Sequence, residues 1–299
     1  MDAVAGLLDG PRARGAFLLR STLTPPWALR IEDEAPLTLI AVVRGSAWVQ
    51  DVQIGAGDVA IVRGPDHYTV ADDPATPPQA VIDADQRCWT PDGQELKLMQ
   101  YFGVRTWGND PDGETVLLTG TYPLEGEVSG RLLRALPPLL TLAGDRTLIE
   151  LLAAEIVKDA PGQEAVLDRL LDLLLIATLR TWFARDDGPG WYRAYSDPIV
   201  GPALRALHDE PARQWTVAEI ARTGGVSRAA LARRFNELVG EPPMSFLTGW
   251  RIALAADLLR EPGATLGSVA AQVGYGSPFA LSAAFKRVRG ISPAEFRAT

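Results

Sequence analysis

Residues 217–235, VAEIARTGGVSRAALARRF, have a second version at residues 266–285, LGSVAAQVGYGSPFALSAAF. Three anchor positions recur at a spacing of 50, because Ser227, Leu231 and Phe235 return as Ser277, Leu281 and Phe285. Upstream of these positions the spacing is 49, so the turn of the second copy carries one extra residue. Loops tolerate such insertions, and the two copies therefore indicate one structural unit used twice.

Each copy has the sequence signals of a helix-turn-helix. In the first, Thr216 followed by Glu219 predicts a capped helix start, and Gly224-Gly225 predicts its end. Ser227 is a favourable N-cap for a second helix. The second copy has equivalent signals at Thr265, Gly274, Gly276, Ser277 and Pro278. The second helix of such a unit lies in the DNA major groove. A helical bundle with no role in nucleic-acid binding is the alternative.

Helical spacing divides each second helix into a buried and an outward face. The predicted buried positions, spaced i, i+4 and i+7, are Leu231, Phe235 and Leu238, then Leu281, Phe285 and Val288. The predicted outward positions are Ala229, Ala232, Arg233 and Asn236, then Phe279, Ser282, Ala283 and Lys286. Together with the two N-cap serines, these outward faces form the predicted DNA-binding surface.

Residues 203–296 resemble the DNA-binding domain of the AraC/XylS family of bacterial transcription regulators. The motifs that carry the resemblance are Trp215-Thr216-Val217, Val226-Ser227-Arg228, Arg233-Arg234-Phe235, Gly240-Glu241-Pro242-Pro243, Val273-Gly274-Tyr275, Phe285-Lys286-Arg287, Gly290-Ile291-Ser292-Pro293 and Phe296-Arg297. The resemblance implies that a long helix over residues 246–259 joins the two units. Both reading helices would then enter successive major grooves on one face of double-stranded DNA.

Residue chemistry suggests which contacts each unit makes. Arg233 is predicted to contact a base, and phosphate contacts are predicted for Arg228, Arg234, Lys286 and Arg287. The family often has an arginine where Ala283 stands, and alanine cannot form the bidentate contact to guanine. The second unit therefore either reads DNA through Phe279 or Ser282, or mainly holds the register. Packing of Phe279 into the turn is a further alternative.

Charge is divided unevenly along the 299 residues. Residues 200–299 hold 12 Lys and Arg against 8 Asp and Glu, a net charge of +4, whereas residues 1–199 carry −12. The whole-chain charge of −8 therefore does not exclude DNA, because binding depends on the local field at the contact face. The chain shows no signal-peptide pattern and no apolar run near the ~20 residues of a membrane span. These features, with a single cysteine, predict a cytoplasmic protein. Cys88 is open to two interpretations, a small half-buried side chain or a redox sensor.

Short β-rich runs punctuated by glycine and proline fill the first half of the chain. Strands are predicted at 27–31, 37–43, 47–52, 58–62, 68–71, 79–82, 96–102 and 116–122, which favours a sandwich or barrel. Several motifs resemble the cupin-type sensor domain of one branch of the same family: residues 26–30, 42–48, 57–59, 63–67 and 118–122. The resemblance implies a small-molecule effector in the barrel. That branch often has a cysteine in place of Thr119, so thiol sensing is not expected at this position.

Aromatic and polar side chains near the barrel mouth are the candidate effector contacts. They are Trp27, Trp48, His67, Tyr68, Tyr101 and Trp107, with core packing or, for His67, a barrel-mouth hydrogen bond as the alternative. A cupin-fold enzyme with a helical appendage is the competing function. A cupin metal site needs several histidines at one ion, and the two histidines, His67 and His208, fall in different predicted domains. No catalytic residue, metal site or cofactor is therefore predicted. A third function is a protein-binding module that uses the helix-turn-helix units.

Two helices are predicted between the barrel and the DNA-binding region, at 148–158 and 163–184. The second is apolar around most of its circumference, which predicts burial on several sides. One side would pack on the barrel and the other on a second copy, so a homodimer through helices 148–184 is predicted. Complete coverage by the barrel and the first helix is the alternative.

The predicted architecture is α+β and has three parts. A cupin-like β-barrel that senses an effector occupies residues 1–125, and a helical dimerisation segment with a linker occupies 126–190. An all-α DNA-binding domain with two helix-turn-helix motifs occupies 191–299. The predicted function is a sequence-specific DNA-binding transcription regulator, which would also contact RNA polymerase if it activates transcription.

Overall fold

A computed structural model describes residues 17–94, 100–122, 130, 133–185 and 194–298. The chain divides into two compact domains. One consists of Pro11–Leu124 and Leu133–Trp182, and the other mainly of Phe183–Thr299. Residues 186–190, at the end of the predicted segment 126–190 and expected to form its linker, lie outside the described residues. Each domain is described below by itself.

The first domain contains thirteen strands among its described residues. They are β1 (Phe17–Leu23), β2 (Ala28–Ile31), β3 (Leu37–Arg44), β4 (Ser46–Val49), β5 (Val52–Gly55), β6 (Asp58–Arg63), β7 (Tyr68–Ala71), β8 (Ala80–Ile82), β9 (Cys88–Trp89), β10 (Gln100–Gly103), β11 (Thr106–Gly108), β12 (Thr115–Tyr122) and β13 (Leu139–Ala143). Seven form one sheet in the order β10-β11-β1-β12-β3-β6-β13. Six form the other, in the order β5-β4-β7-β2-β8-β9.

The core of this domain combines side chains from both sheets. Trp27, Val49 and Val70 from one sheet region join Ile40 and Leu117 from the other in one buried cluster. Side chains on a strand alternate between faces, so only one face of each strand contributes to this core. The expected cupin architecture is therefore present as two facing sheets, and the described strands do not form one continuous closed sheet.

The strand predictions differ from the structure in two ways. The run 47–52 is split into β4 and β5 by a tight turn in which Gln50 has φ 57°. In addition β1, β9, β11 and β13 were not predicted. Strand β13 follows Pro137-Pro138 within the segment 126–190 that was predicted to be helical, yet it pairs with β6 from Asp58 to Val62. Residues 96–99 of the predicted 96–102 strand lie outside the described residues.

Among its described residues the first domain also contains two helices, α1 (Arg146–Ile156) and α2 (Gln163–Phe183). Asp145 caps α1 by accepting hydrogen bonds from the amides of Thr147 and Leu148. Helix α2 lies against β12, where a Cβ on Gly120 would come within 2.6 Å of Leu171 Cδ2. The Tyr122 hydroxyl donates a hydrogen bond to the Leu171 carbonyl at 3.0 Å. One side of α2 is therefore buried on the sheet, as predicted.

The second domain contains seven helices in its described residues. They are α3 (Val200–Asp209), α4 (Val217–Thr223), α5 (Arg228–Val239), α6 (Pro243–Arg260), α7 (Leu266–Gln272), α8 (Pro278–Arg289) and α9 (Pro293–Ala298). Helices α4 and α5 form the first helix-turn-helix, and α7 and α8 form the second. Helix α6 lies between them in sequence and contributes to the cores of both.

Candidate nucleic-acid interface

The two helix-turn-helix units begin and end their helices in the same way. In the first, Thr216 and Glu219 form a capping box at the start of α4. Ser227 Oγ caps α5 by accepting from the Ala230 amide at 3.2 Å. Gly240 ends α5 with φ 85°, in the left-handed region that glycine adopts without strain. The sequence-based assignments of Thr216, Glu219 and Ser227 are confirmed, whereas Gly240 was not assigned as a cap.

The second unit has caps at the equivalent positions. Thr265 forms a capping box with Ser268, a serine standing where the first unit has glutamate. Ser277 Oγ accepts from the Ala280 amide at 3.2 Å, and Pro278 occupies the first helical position of α8. Gly290 ends the helix with φ 81°. Since caps satisfy backbone groups that the helix leaves unpaired, the repeat preserves what each fold unit requires.

Helix α6 supports both units with different halves of its length. Near its start, Phe246 and Leu247 pack in the first core, with Leu231 and Phe235 of α5. Nearer its end, a second set packs with Leu281 and Phe285 of α8: Ile252, Ala255, Ala256 and Leu259. The helix is therefore buried around most of its circumference, and one continuous element supports both α5 and α8.

Arg251, in the middle of α6, links the loop before the first unit to the turn of the second. Its Nε donates to the Pro211 carbonyl and its guanidinium also donates to the Arg213 carbonyl, both at 2.7 Å. The guanidinium carbon lies 5.7 Å from the Tyr275 ring centroid. Gln214 adds a 2.7 Å hydrogen bond from Nε2 to the Gly274 carbonyl. These contacts fix the orientation of the two units relative to each other, and the sequence pattern did not reveal them.

The predicted outward faces are outward in the structure. On α5, Ala229, Ala232, Arg233 and Asn236 are exposed, as are Ser227 and Arg228. The Arg233 side chain is 77% exposed, and its nearest carboxylate is Glu237 at 3.8 Å. On α8, Phe279, Ala283, Lys286 and Arg287 are exposed, and Ser277 and Ser282 are half-buried. Arg233 is therefore free to reach beyond its own helix.

Arg234, for which a phosphate contact was predicted, lies beside two carboxylates of the protein. Its Nε and one terminal nitrogen lie 3.0 and 2.9 Å from Asp197 Oδ2, and Glu237 lies 3.3 Å from the other terminal nitrogen. The other oxygen of Asp197 accepts from the amides of Ile199 and Val200 at the start of α3. The guanidinium thus ties α5 to α3, and this engagement argues against the phosphate contact expected of it.

The Asp197 carboxylate is held ionised by this arrangement. Burial on its own raises the pKa of Asp197. The amides of Val200 and Ile199, followed by Arg234, outweigh that effect and lower the pKa below its usual value. The side chain is only 8% exposed. An aspartate three residues before a helix was a possible cap signal in the sequence, but its ion-pair partner was not predictable.

Val288 was predicted to be buried, and this prediction is wrong. Its side chain is 46% exposed. The buried stripe of α8 is formed by Leu281, Ala284 and Phe285 instead. Helical spacing identified the correct face for the first two turns but continued it into a last turn that lies outside the second core.

The comparisons with known proteins agree with this geometry. A cupin family model matches residues 2–184, and a helix-turn-helix domain model matches residues 220–299. An AraC-like transcription regulator of Streptomyces lividans is 33% identical over 99% of this chain and 98% of its own length. This chain belongs to the AraC-like family of transcription regulators.

Other relatives have the same character. The HTH-type transcriptional regulator AlkR of Acinetobacter baylyi is 27% identical to this regulator over 99% of both chains. Among solved structures, the DNA-binding domain of AdpA, in complex with a target DNA, is 34% identical. That match covers 34% of this chain and 91% of the other, with a TM-score of 0.32. The family models and the Streptomyces lividans relative together give an AraC-like transcription regulator with a cupin domain and a helix-turn-helix domain.

The cupin domain of the regulator encloses a small cavity between its two sheets. The cavity measures about 40 Å³, and two of the six predicted effector contacts, Tyr68 and Trp107, line it. The Trp107 Nε1 is buried without a hydrogen-bond partner in the described structure. Polar cavity-lining residues that sequence reasoning missed are Ser21, Asp33, Gln86, Thr119 and Thr121. For Ser21, Thr119 and Thr121, the alternation of side chains between the two faces of β1 and β12 was the sequence signal that could have identified them.

The other four predicted effector contacts do not line this cavity. Trp27 is fully buried in the core, and its Nε1 also lacks a partner in the described structure. Trp48 lies half-buried on β4, between two core residues that point to the opposite face. His67 is exposed, with Nδ1 3.6 Å from Glu32 Oε1, and Tyr101 is 82% exposed. These residues therefore do not form one site with Tyr68 and Trp107.

Cys88 has none of the features of a reactive thiol. Burial, followed by the nearby Asp83 carboxylate, raises the pKa of Cys88 to about 11. The thiolate is the reactive form, so little of it is present at neutral pH. Across the described ranges, no three His, Cys, Asp or Glu side chains come together as a metal site. None of the helices in those ranges has the length and apolarity that a bilayer crossing requires.

Proposed function

We propose that the outward faces of α5 and α8 read two successive major grooves of one DNA duplex. The observation that carries this proposal is the pair of matched, outward-facing helices held by one shared helix. Helix α6 has 18 residues, which corresponds to ~27 Å at ~1.5 Å per residue. One groove repeat is ~34 Å. The contacts of Arg251 and Gln214 support a fixed separation between the two faces.

Arg233 is the proposed base contact of the first unit. Arg233→Ala should weaken binding to a preferred duplex by ~1–3 kcal/mol and leave binding to random duplexes nearly unchanged, because a lost bidentate contact affects one base pair. Arg222→Ala is a matched control, since Arg222 is exposed at the end of α4 and removes the same charge. Electrophoretic titrations against both duplexes measure the difference. An equal loss on every sequence would make Arg233 a phosphate contact.

We also propose that the regulator forms a homodimer through α1 and α2. Large apolar side chains on these helices are exposed, namely Leu151 (50%), Val166 (44%) and Leu173 (48%). Burial of such side chains against a second copy would remove apolar surface from water. Sedimentation equilibrium should show a dimer that Leu173→Glu converts to monomer. A wild-type monomer at tens of micromolar would refute the proposal.

The cavity between the sheets is the proposed effector site. Its volume of about 40 Å³ is well below the ~300 Å³ typical of sites for drug-sized ligands, although it exceeds what one water needs. An effector there would have few heavy atoms or would displace side chains, and Trp107 Nε1 offers it a hydrogen-bond donor. A crystal structure with a bound molecule away from Tyr68 and Trp107 would contradict this placement. Contact with RNA polymerase stays a prediction for an activator.

A further inference from the structure

The two reading helices differ in where they carry their large outward side chain. Counted from the N-cap serine, the second position is Ala229 in the first unit and Phe279 in the second. The sixth position is Arg233 in the first and Ala283 in the second. Small and large residues have thus exchanged places, one helical turn apart. The large side chain of α8 lies ~6 Å nearer the N-terminal end of its helix.

Phe279 is held at this place without being covered by the protein. Its side chain is 86% exposed, the highest value among the large exposed hydrophobic residues. Ser277 caps the helix directly before it, and Pro278 fixes the first helical residue. The alternative that Phe279 packs into the turn is therefore contradicted. Single exposed apolar residues are ordinary on protein surfaces, and it is the position on the reading face that gives this one meaning.

The chemistry around Phe279 selects the kind of base it can meet. The N-terminal residues of a reading helix contact base edges, and Ala280 and Ala283 beside Phe279 leave space for a close approach. A phenyl ring has no hydrogen-bonding group for guanine, adenine or cytosine. The one apolar feature in the major groove is the C5-methyl group of thymine. The cationic residues of α8 all lie in its last turn, where Lys286 and Arg287 are exposed and can face phosphates, while the Arg289 guanidinium carbon lies 5.0 Å from the Phe296 ring centroid.

We propose that Phe279 makes the second unit specific for thymine by contacting its C5-methyl group in the major groove. This inference rests on the proposed function and assigns a base to it. The first unit then supplies a charged contact through Arg233, and the second an apolar one. Because Phe279 carries no charge, its contribution to affinity should be independent of salt, unlike that of the phosphate contacts.

The test uses the full chain and duplexes selected by it from a random 30-base-pair pool. Each thymine of the selected site is replaced in turn by deoxyuridine, which removes only the methyl group. At one or two thymines within a single half-site, replacement should weaken wild-type binding about 5- to 20-fold. Phe279→Ala should weaken binding to the all-thymine site by a similar factor and should be insensitive to those replacements. The salt dependence of binding should not change.

Val288→Ala is the matched control, because Val288 is also an exposed apolar residue of α8 but lies in its last turn. It should bind like the wild type. If Phe279→Ala binds normally, or stays sensitive to every deoxyuridine, the thymine assignment is overturned while DNA reading by the two units stands. If no sequence is enriched from the pool, the proposed function fails and this inference fails with it.

Discussion

The first and second helix-turn-helix units share their caps and cores but differ on their surfaces. Phe235 and Phe285 are both fully buried, and Gly240 and Gly290 end their helices with nearly equal φ angles. On the outward faces, by contrast, the position of Arg233 in the first copy is occupied by Ala283 in the second. The comparison shows that the two copies share the positions that folding requires and differ at the outward positions.

A second difference lies inside the units, at the residue before each buried phenylalanine. The first unit has Arg234, which is paired with Asp197 of the segment before α3. The second has Ala284, which is 4% exposed and packs directly in the second core. The same position is thus stabilised by an ion pair in one unit and by apolar packing in the other. Acid should therefore affect the two units differently.

The largest expected effect tests whether the two cores are equivalent. Phe235→Ala and Phe285→Ala should each destabilise their own unit by ~3–5 kcal/mol, because both remove a fully buried aromatic side chain. Hydrogen exchange of the full chain, followed by mass spectrometry, measures the loss of protection in peptides from α4–α5 and from α7–α8.

Each substitution should act mainly on its own unit, since the two cores share only α6. Phe279→Ala is a control that removes an equally large but exposed side chain, and it should leave protection in α7–α8 unchanged. Equal loss of protection in both units from a single core substitution would show that they unfold together, and the comparison of separate cores would then be broken.

A smaller effect is expected from pH. The folded pKa of Asp197 is lowered, so its contribution to stability is present above the unfolded pKa of ~3.9 and is lost as pH falls through the folded value. Protection of α3 and α5 should therefore decline below about pH 4 in the wild type. Asp197→Asn keeps a capping side chain but not the charge, so this part of the decline should be absent.

The measurement is hydrogen exchange at several pH values, corrected for the intrinsic exchange rate. Peptides from α7 and α8 serve as the internal reference, because Ala284 replaces the arginine there. If the wild type and Asp197→Asn decline in parallel, another carboxylate is responsible and the ion pair does not distinguish the units.

The helix-turn-helix units were predictable because their signals are local. Caps such as Thr216 and Ser227, turn glycines and the i, i+4 spacing of buried residues all act within a few positions of sequence. Doubling of the pattern gave an independent check on each copy. The one error of this kind, Val288, arose because periodicity identifies a face but not where the neighbouring core ends.

The remaining features depend on contacts between residues far apart in sequence. Arg251 bonds carbonyls about 40 residues away, and Asp197 pairs with a residue 37 positions later. Strand β1 pairs with β12 across the sheet, so its identity depends on partners that no local pattern reveals. For the same reason, six aromatic and polar residues predicted as one effector site separate into cavity, core and surface, and only Tyr68 and Trp107 meet.

Because one continuous helix supports both cores, under the proposed function its length would set the rotational phase between the two DNA half-sites. A single residue inserted near the middle of α6 would turn the second reading helix by ~100° and move it by ~1.5 Å. Most such insertions would point it away from the duplex altogether. Under the proposed function, the spacing of bases that this regulator accepts would be encoded in the 18 residues from Pro243 to Arg260, and a change of spacing would require a change of that helix.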